Sequence, residues 1–173
     1  MSEIIRYAIG ESSLGPFIAA ASAQGLVAFE FADRPAVARE ALQQRFPDAV
    51  TEEDVAGMAA TIAGLLEVVD RPERRSDLTL DPRGSAFEQR VWAALRGIPA
   101  GRTMSYGAVA NSLGRSGDAR EVAEACAGNM IAILIPCHRV AKSDGSISGY
   151  RWGVRRKRLL LAREQSAVPF EFA

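Results

Sequence analysis

Apolar residues fall into two patterns along this chain: short continuous blocks near the start, then stripes at helical spacing. The segments "IIRYAI" (4–9), "PFIAAA" (16–21) and "GLVAFEF" (25–31) are compact blocks, divided by the Gly/Ser clusters "GESSLG" and "SAQG". Blocks of that length between turn residues predict an antiparallel meander. From Pro35 the period changes. Val37, Ala41, Leu42 and Phe46 recur at helical intervals, and Pro47 predicts the stop. "VAGMAATIAGLLEVV" (55–69) predicts a second helix, followed by the charged connection "DRPERRSD".

A second part begins near Asp81. Ser85 with Glu88 three residues on is a capping box, and Phe87, Val91, Ala94 and Leu95 make the stripe of the helix it opens. Gly97 and Pro99 end that helix. Ser105 predicts the N-cap of a short helix in "SYGAVANSLG", with Gly114 just past its end. "GDAREVAEACAGN" (117–129) predicts the next helix, closed by Gly128 and Asn129. Two helices joined by a glycine-containing turn resemble a helix-turn-helix. The apolar run of "IAILIPCHRVA" (131–141) then predicts a buried strand broken at Pro136, "KSDGSISGYRWG" (142–153) a loop, and "VRRKRLLLAREQ" (154–165) a basic final helix. The expected class is α+β: a small N-terminal antiparallel sheet with helix over 1–80, and a helical lobe over 81–173.

Charge adds a polarity that the net value of zero hides. Residues 1–81 hold 14 Asp/Glu and 7 Lys/Arg, and residues 82–173 hold 7 Asp/Glu and 14 Lys/Arg. A basic half suits a polyanion, nucleic acid above all; it equally suits attraction between lobes or a solvated face. The chain has no apolar run long enough to span a bilayer, and "MSEIIRYAIGESS" lacks the layout of a secretory leader. A cytoplasmic protein without membrane association is expected. Two cysteines and one histidine give no zinc-finger spacing, so neither a structural metal nor a disulfide is expected.

The candidate chemistry sits at Cys137, His138 and Arg139. A nucleophilic thiol needs a base or a cation beside it. Adjacent residues on a strand point to opposite faces, so Pro136 has to reorient the chain for Cys137 and His138 to share a pocket. On residues alone, Cys137 reads either as a nucleophile or as a buried structural thiol. Cys126, beside Val122 on the apolar side of its helix, reads as core.

The longer pattern is more specific. "GSAFEQRVWAALRGIPAGRTMSYGAVANSLG", "GNMIAILIPCHRV" and "DGSISGYRWGVRRKRLLL" resemble the O6-alkylguanine-DNA alkyltransferases over most of residues 83–164, and "IRYAIGESSLGPFIAAASAQGLVAF" matches more loosely. The resemblance is strongest to the alkyltransferase half of the bacterial adaptive-response protein. It implies a ribonuclease H-like first lobe and a winged-helix-like second lobe. It implies that Cys137 accepts an alkyl group, that His138 takes the thiol proton through a water, and that Glu164 orients His138. Asn129 would brace the turn before the active site, and Tyr106 would donate to the guanine leaving group. Arg120 would fill the gap left by a flipped base, with Ser105, Ala119, Ala123, Ala127 and Gly128 at the DNA surface. Tyr106, Val140, Tyr150, Arg151 and Trp152 would form the base pocket. The implied partner is double-stranded DNA carrying O6-alkylguanine, met as a monomer through the minor groove, with no cofactor.

The chemistry fits the residue types. A thiolate is a soft nucleophile suited to a saturated carbon, and the thioether product has no good leaving group, so the protein would act once. The resemblance also implies O4-alkylthymine as a second substrate. A cysteine hydrolase and a non-catalytic lesion binder are the competing readings; the motif disfavours the first and Cys137 the second. Glu121 and Glu124 depart from the resemblance, because they put carboxylates on the helix that would meet phosphates, with Glu124 placed to pair with Arg120.

Overall fold

In a computed structural model, which describes residues 1–167, the chain forms two compact units. The first comprises Met1–Asp70, Ser76–Arg83 and Met130–Ala132. Its sheet contains β1 (Glu3–Ser12), β2 (Gly15–Ala21), β3 (Leu26–Phe31) and β4 (Ala49–Glu53) in the order β3-β2-β1-β4. The first three strands form the predicted antiparallel meander. Gly15, at φ 110°, makes the first tight turn, where Ser12 Oγ donates to its carbonyl. The burial of β2 and β3 is nearly continuous rather than alternating, because both faces of these strands are covered. Phe17 and Phe29 meet edge to face at 5.2 Å on one face, while Ile18, Ala20 and Ala28 pack with Leu42 on the other.

Helix α1 (Pro35–Arg45) supplies Leu42, and α2 (Val55–Asp70) packs along β1. Two expectations need correction. The sheet is mixed, not purely antiparallel: β4 runs parallel to β1, from Glu3 opposite Ala49 to Tyr7 opposite Glu53. Its sequence, "AVTEE", is mostly polar, and its pairing lies in backbone hydrogen bonds that leave no hydrophobic period. The α1 stripe is also rotated. Val37 and Ala41 are exposed, and Ala38, Leu42 and Phe46 face the core.

The second unit comprises Arg71–Arg75, Gly84–Asn129 and the chain from Ile133 on. It holds α3 (Ala86–Arg96), α4 (Tyr106–Ser112), α5 (Ala119–Ala127) and α6 (Val154–Ala167). The capping box is formed as expected: Ser85 Oγ accepts from Glu88 N, and the Glu88 carboxylate accepts from Ser85 N. Buried Trp92, one residue off the expected stripe, donates its indole N–H to Ala125 O and so ties α3 to α5. Ser105 caps α4 through Ala108 N. A two-residue parallel ladder joins β5 (Met104–Ser105) to β6 (Val140–Ala141), and it brings the start of α4 beside the segment that follows Arg139. No helix among the described residues is long and apolar enough to cross a membrane.

The strand expected over 131–135 does not form. Ile131 makes a single bridge to Phe29, framed by Phe29 N to Met130 O and Ala132 N to Phe29 O. The chain then turns, with Ile133 at φ 66°, a left-handed conformation that a β-branched residue adopts only under constraint. All five residues from Ile131 to Ile135 lie in or near the core, so a buried turn carries the same hydropathy as a buried strand.

Candidate active site

Cys137 opens a 3-10 turn, Cys137–Arg139, that starts directly after Pro136. Asn129, fully buried just past α5, holds both sides of this approach: its Nδ2 donates to Ile135 O at 2.9 Å and lies 3.3 Å from Cys137 Sγ. Burial pushes the Cys137 thiol up to about 11, against the pull of Asn129 and the Lys157 ammonium. The resting group is therefore a thiol that needs a base to become a nucleophile.

His138 supplies one. Its Nε2 lies 2.7 Å from Glu164 Oε1, and neither residue has any exposed surface. The Glu164 carboxylate only accepts, so Nε2 carries the hydrogen and Nδ1 keeps its lone pair. Nδ1 is buried with no hydrogen-bond partner among the described residues, which leaves it to take a proton. Burial holds the imidazole below its ordinary value despite the carboxylate beside it. Arg139 explains how both conditions coexist. Its Nε and Nη2 bind Glu164 at 2.7–3.0 Å, so the carboxylate charge is already matched by a guanidinium. Burial opposes ionisation of Glu164, but the bonds from His138 and Arg139 hold its carboxyl below the usual range. The remaining Arg139 donors reach Ile98 O and Pro72 O.

A cavity of about 380 Å³ opens on Cys137, within the size range of small-ligand pockets. Its lining includes Tyr106, Ala123, Ala127, Tyr150 and Arg151, all expected site residues. It also includes Cys126, so the second thiol is buried but not simply core; burial pushes it up to about 12. Tyr150 presents an unusual group there: its hydroxyl oxygen is buried without a partner among the described residues, while the ring packs edge-on against Trp152 at 5.2 Å. Val140 and Trp152 are buried but do not line the cavity. The Val140 carbonyl accepts from Lys157 Nζ at 2.6 Å.

On α5, Val122, Ala125 and Cys126 face inward. Arg120 and Glu124 project outward as the expected pair, 3.6 Å apart with side chains 88% and 70% exposed. Ala119 lies at the start of that helix, and Gly128 caps its end by donating to Glu124 O. Ser105, Ala119, Arg120, Gly128 and Asn129 stand apart from the cavity lining. Arg151 donates to Ala127 O, linking the loop before α6 to the end of α5.

The sequence places Arg139 beside Cys137 as a candidate cation, but its partner is Glu164. Two further residues bearing on the site escape the sequence reading. Ser148 sits in a Gly/Ser loop, yet it is buried and lies 2.5 Å from Tyr106 Oη. Lys157 is legible in retrospect: Lys157, Leu160 and Glu164 are the buried positions of α6, at helical spacing. Among the described residues, no group of three or more His, Cys, Asp or Glu side chains is placed to hold a metal ion.

The family model for "6-O-methylguanine DNA methyltransferase, DNA binding domain" matches residues 86–166. The bifunctional transcriptional activator/DNA repair enzyme Ada of Escherichia coli K12 is 43% identical over 160 residues, 92% of this chain and 45% of that protein. A methylated-DNA–protein-cysteine methyltransferase of Mycobacterium bovis is 50% identical over 93 residues, 54% of this chain and 56% of that protein. The chain thus spans about half the length of these curated relatives. The crystal structure of Mycobacterium tuberculosis OGT in complex with DNA superposes with a TM-score of 0.78 at 34% identity, covering 95% of both chains. The methyltransferase structure from Pyrococcus kodakaraensis, at 19% identity and a TM-score of 0.65, shares the fold. An α+β fold matched end to end in one relative, and a DNA-binding-domain match that spans the buried Cys137–His138–Glu164 arrangement, lead to one conclusion: the chain belongs to the O6-methylguanine DNA methyltransferase family.

Proposed function

We propose that the protein repairs DNA by transferring the alkyl group of O6-alkylguanine in a duplex to Cys137, once per molecule. One observation carries the reading: Cys137 lines a base-sized cavity and is followed directly by a buried imidazole whose Nε2 is held by Glu164 and whose Nδ1 is open. Nδ1 receives the thiol proton, through a bridging water, and Arg139 keeps Glu164 ionised so that the imidazolium is stabilised as it forms. Tyr106, in the same cavity, donates to the guanine as negative charge develops on it. A target base stacked in a duplex has to be extruded to reach this site, with α5 docked in the minor groove, Arg120 occupying the gap, and Ala119, Ala123, Ala127 and Gly128 allowing close approach. Ser105, Val140 and Trp152 complete the DNA and base contacts, O4-alkylthymine is a second substrate, and the protein acts as a cytoplasmic monomer. The lobes divide near residue 80, with the chemistry in the second.

Incubation with a duplex containing O6-methylguanine, followed by intact mass, tests this. The protein gains one methyl group, the Cys137→Ser variant gains none, and released product never exceeds the protein. An unchanged mass with tight duplex binding would mean lesion recognition without transfer. Product in excess of protein would mean a turning-over hydrolase. A duplex carrying O4-methylthymine gives the same mass gain if the second substrate is accepted.

A further inference from the structure

Lys157 is 1% exposed on α6, and its ammonium serves none of the steps above. Burial pulls it down from the ordinary lysine value. Its three hydrogens match three acceptors: Val140 O at 2.6 Å, Ser148 Oγ at 3.0 Å and Gly149 O at 3.4 Å. An ammonium only donates, so Ser148 Oγ is an acceptor in that contact and keeps one hydrogen to give. Tyr106 Oη, 2.5 Å away, is the group it meets. The reverse direction, with Ser148 accepting from both neighbours, would bury the serine hydrogen without an acceptor among the described residues, which is costly. With Ser148 donating, the Tyr106 hydrogen is left to point into the cavity it shares with Cys137. A cation at one end polarises each hydroxyl in turn and strengthens the last donor.

We propose that Lys157 and Ser148 form a proton relay behind Tyr106, refilling the phenol as it protonates the departing base. The proposal rests on the alkyl-transfer reading. The Cys137 proton goes to His138 Nδ1, and the sulfur forms a bond to the alkyl carbon. The carbon–oxygen bond breaks, with its electron pair left on the guanine. Tyr106 passes its proton to a ring nitrogen of that guanine, Ser148 passes its own to the Tyr106 oxygen, and Lys157 passes one to Ser148. The site begins with an ammonium and a neutral imidazole, and ends with a neutral amine and an imidazolium. Beside the Arg139–Glu164 pair, the positive charge moves from Lys157 to His138, and no tyrosinate is left in a buried site. Ser148 and Lys157 are positioning residues here, because Tyr106 alone meets the base.

Replacing buried Lys157 would strand three acceptors and risk misfolding, so the test uses Ser148. Single-turnover transfer from an O6-methylguanine duplex is followed by mass for wild type, Ser148→Ala and Ser148→Thr, in H2O and D2O, with duplex affinity measured alongside. Ser148→Ala slows transfer about tenfold, the scale of one lost hydrogen bond to a charged group. The threonine hydroxyl restores most of the rate, affinity stays level, and the solvent isotope effect shrinks only in the alanine variant. Wild-type speed in Ser148→Ala overturns the relay, as does a slowing that threonine leaves unrepaired with the isotope effect unchanged. A proton inventory on the wild type and on Ser148→Ala adds a second reading: the wild-type plot is the more curved if the relay adds protons to those of the Cys137–water–His138 path, and equal curvature in the two overturns the relay. Wild-type protein that binds the duplex but never gains mass at Cys137 removes the transfer reading itself, and the relay with it.

Discussion

Glu164 is the residue on which the chemistry of the site turns, since one carboxylate serves both His138 and Arg139. Glu164→Gln keeps the shape and removes the charge. Transfer should fall by roughly 10²–10⁴, the range for a disabled general base, while duplex affinity stays near wild type. A single-turnover rate equal to wild type would count against the assignment. His138 offers a cleaner test, because it is the only histidine in the chain. Its folded value lies below the ordinary one because of burial, so the unfolded chain takes up a proton that the folded chain refuses. Stability from this group is present above the unfolded value and is lost as pH falls through about 6.5. Glu164, also held low when folded, adds its loss only below about 4.3, so the two windows separate. Urea unfolding between pH 8 and 5 should show the first decline, and His138→Gln should flatten it.

The helices were legible because their ends carry chemistry as well as pattern: Ser85 and Ser105 cap as read, and Pro47 closes α1. The approach to Cys137 was not legible as a turn. Hydropathy records burial, and the left-handed Ile133 leaves no mark in composition. The β5–β6 ladder, two residues long, is also below any periodic signal, although it positions the start of α4. Ile133 yields a prediction at this scale. Its side chain is 4% exposed, so truncation costs about 2–5 kcal/mol through lost packing. Glycine ordinarily costs more than alanine at a given position, by roughly 0.5–1 kcal/mol. At φ 66° the order should reverse, because only glycine is free of the Cβ penalty. Urea midpoints should therefore rank wild type above Ile133→Gly, and Ile133→Gly above Ile133→Ala. Alanine ranking above glycine would show that the turn is not held in this conformation.

Across the whole molecule, charge is divided: a net −7 over residues 1–81 and +7 over residues 82–173. Within the basic half, α5 is an exception, because exposed Glu121 and Glu124 flank Arg120 and one of them pairs with it. An exposed pair of this kind contributes only about 0.3–0.5 kcal/mol, so its removal hardly affects folding. Its effect on a polyanion is larger, since each carboxylate offsets one phosphate contact. The Glu121→Ala, Glu124→Ala variant should bind duplex DNA more tightly and with a steeper salt dependence, as read in a salt titration. Unchanged affinity would mean that α5 does not approach the phosphates. The path of the chain carries a different message. Met130–Ala132 groups with the first unit, while its neighbours Asn129 and Ile133 group with the second. A cut near residue 80 would leave Phe29 on one polypeptide and its bridge partner Ile131 on the other. Separately produced halves should thus be incomplete alone and regain cooperative unfolding when mixed, which makes this protein a substrate for fragment complementation rather than for domain dissection.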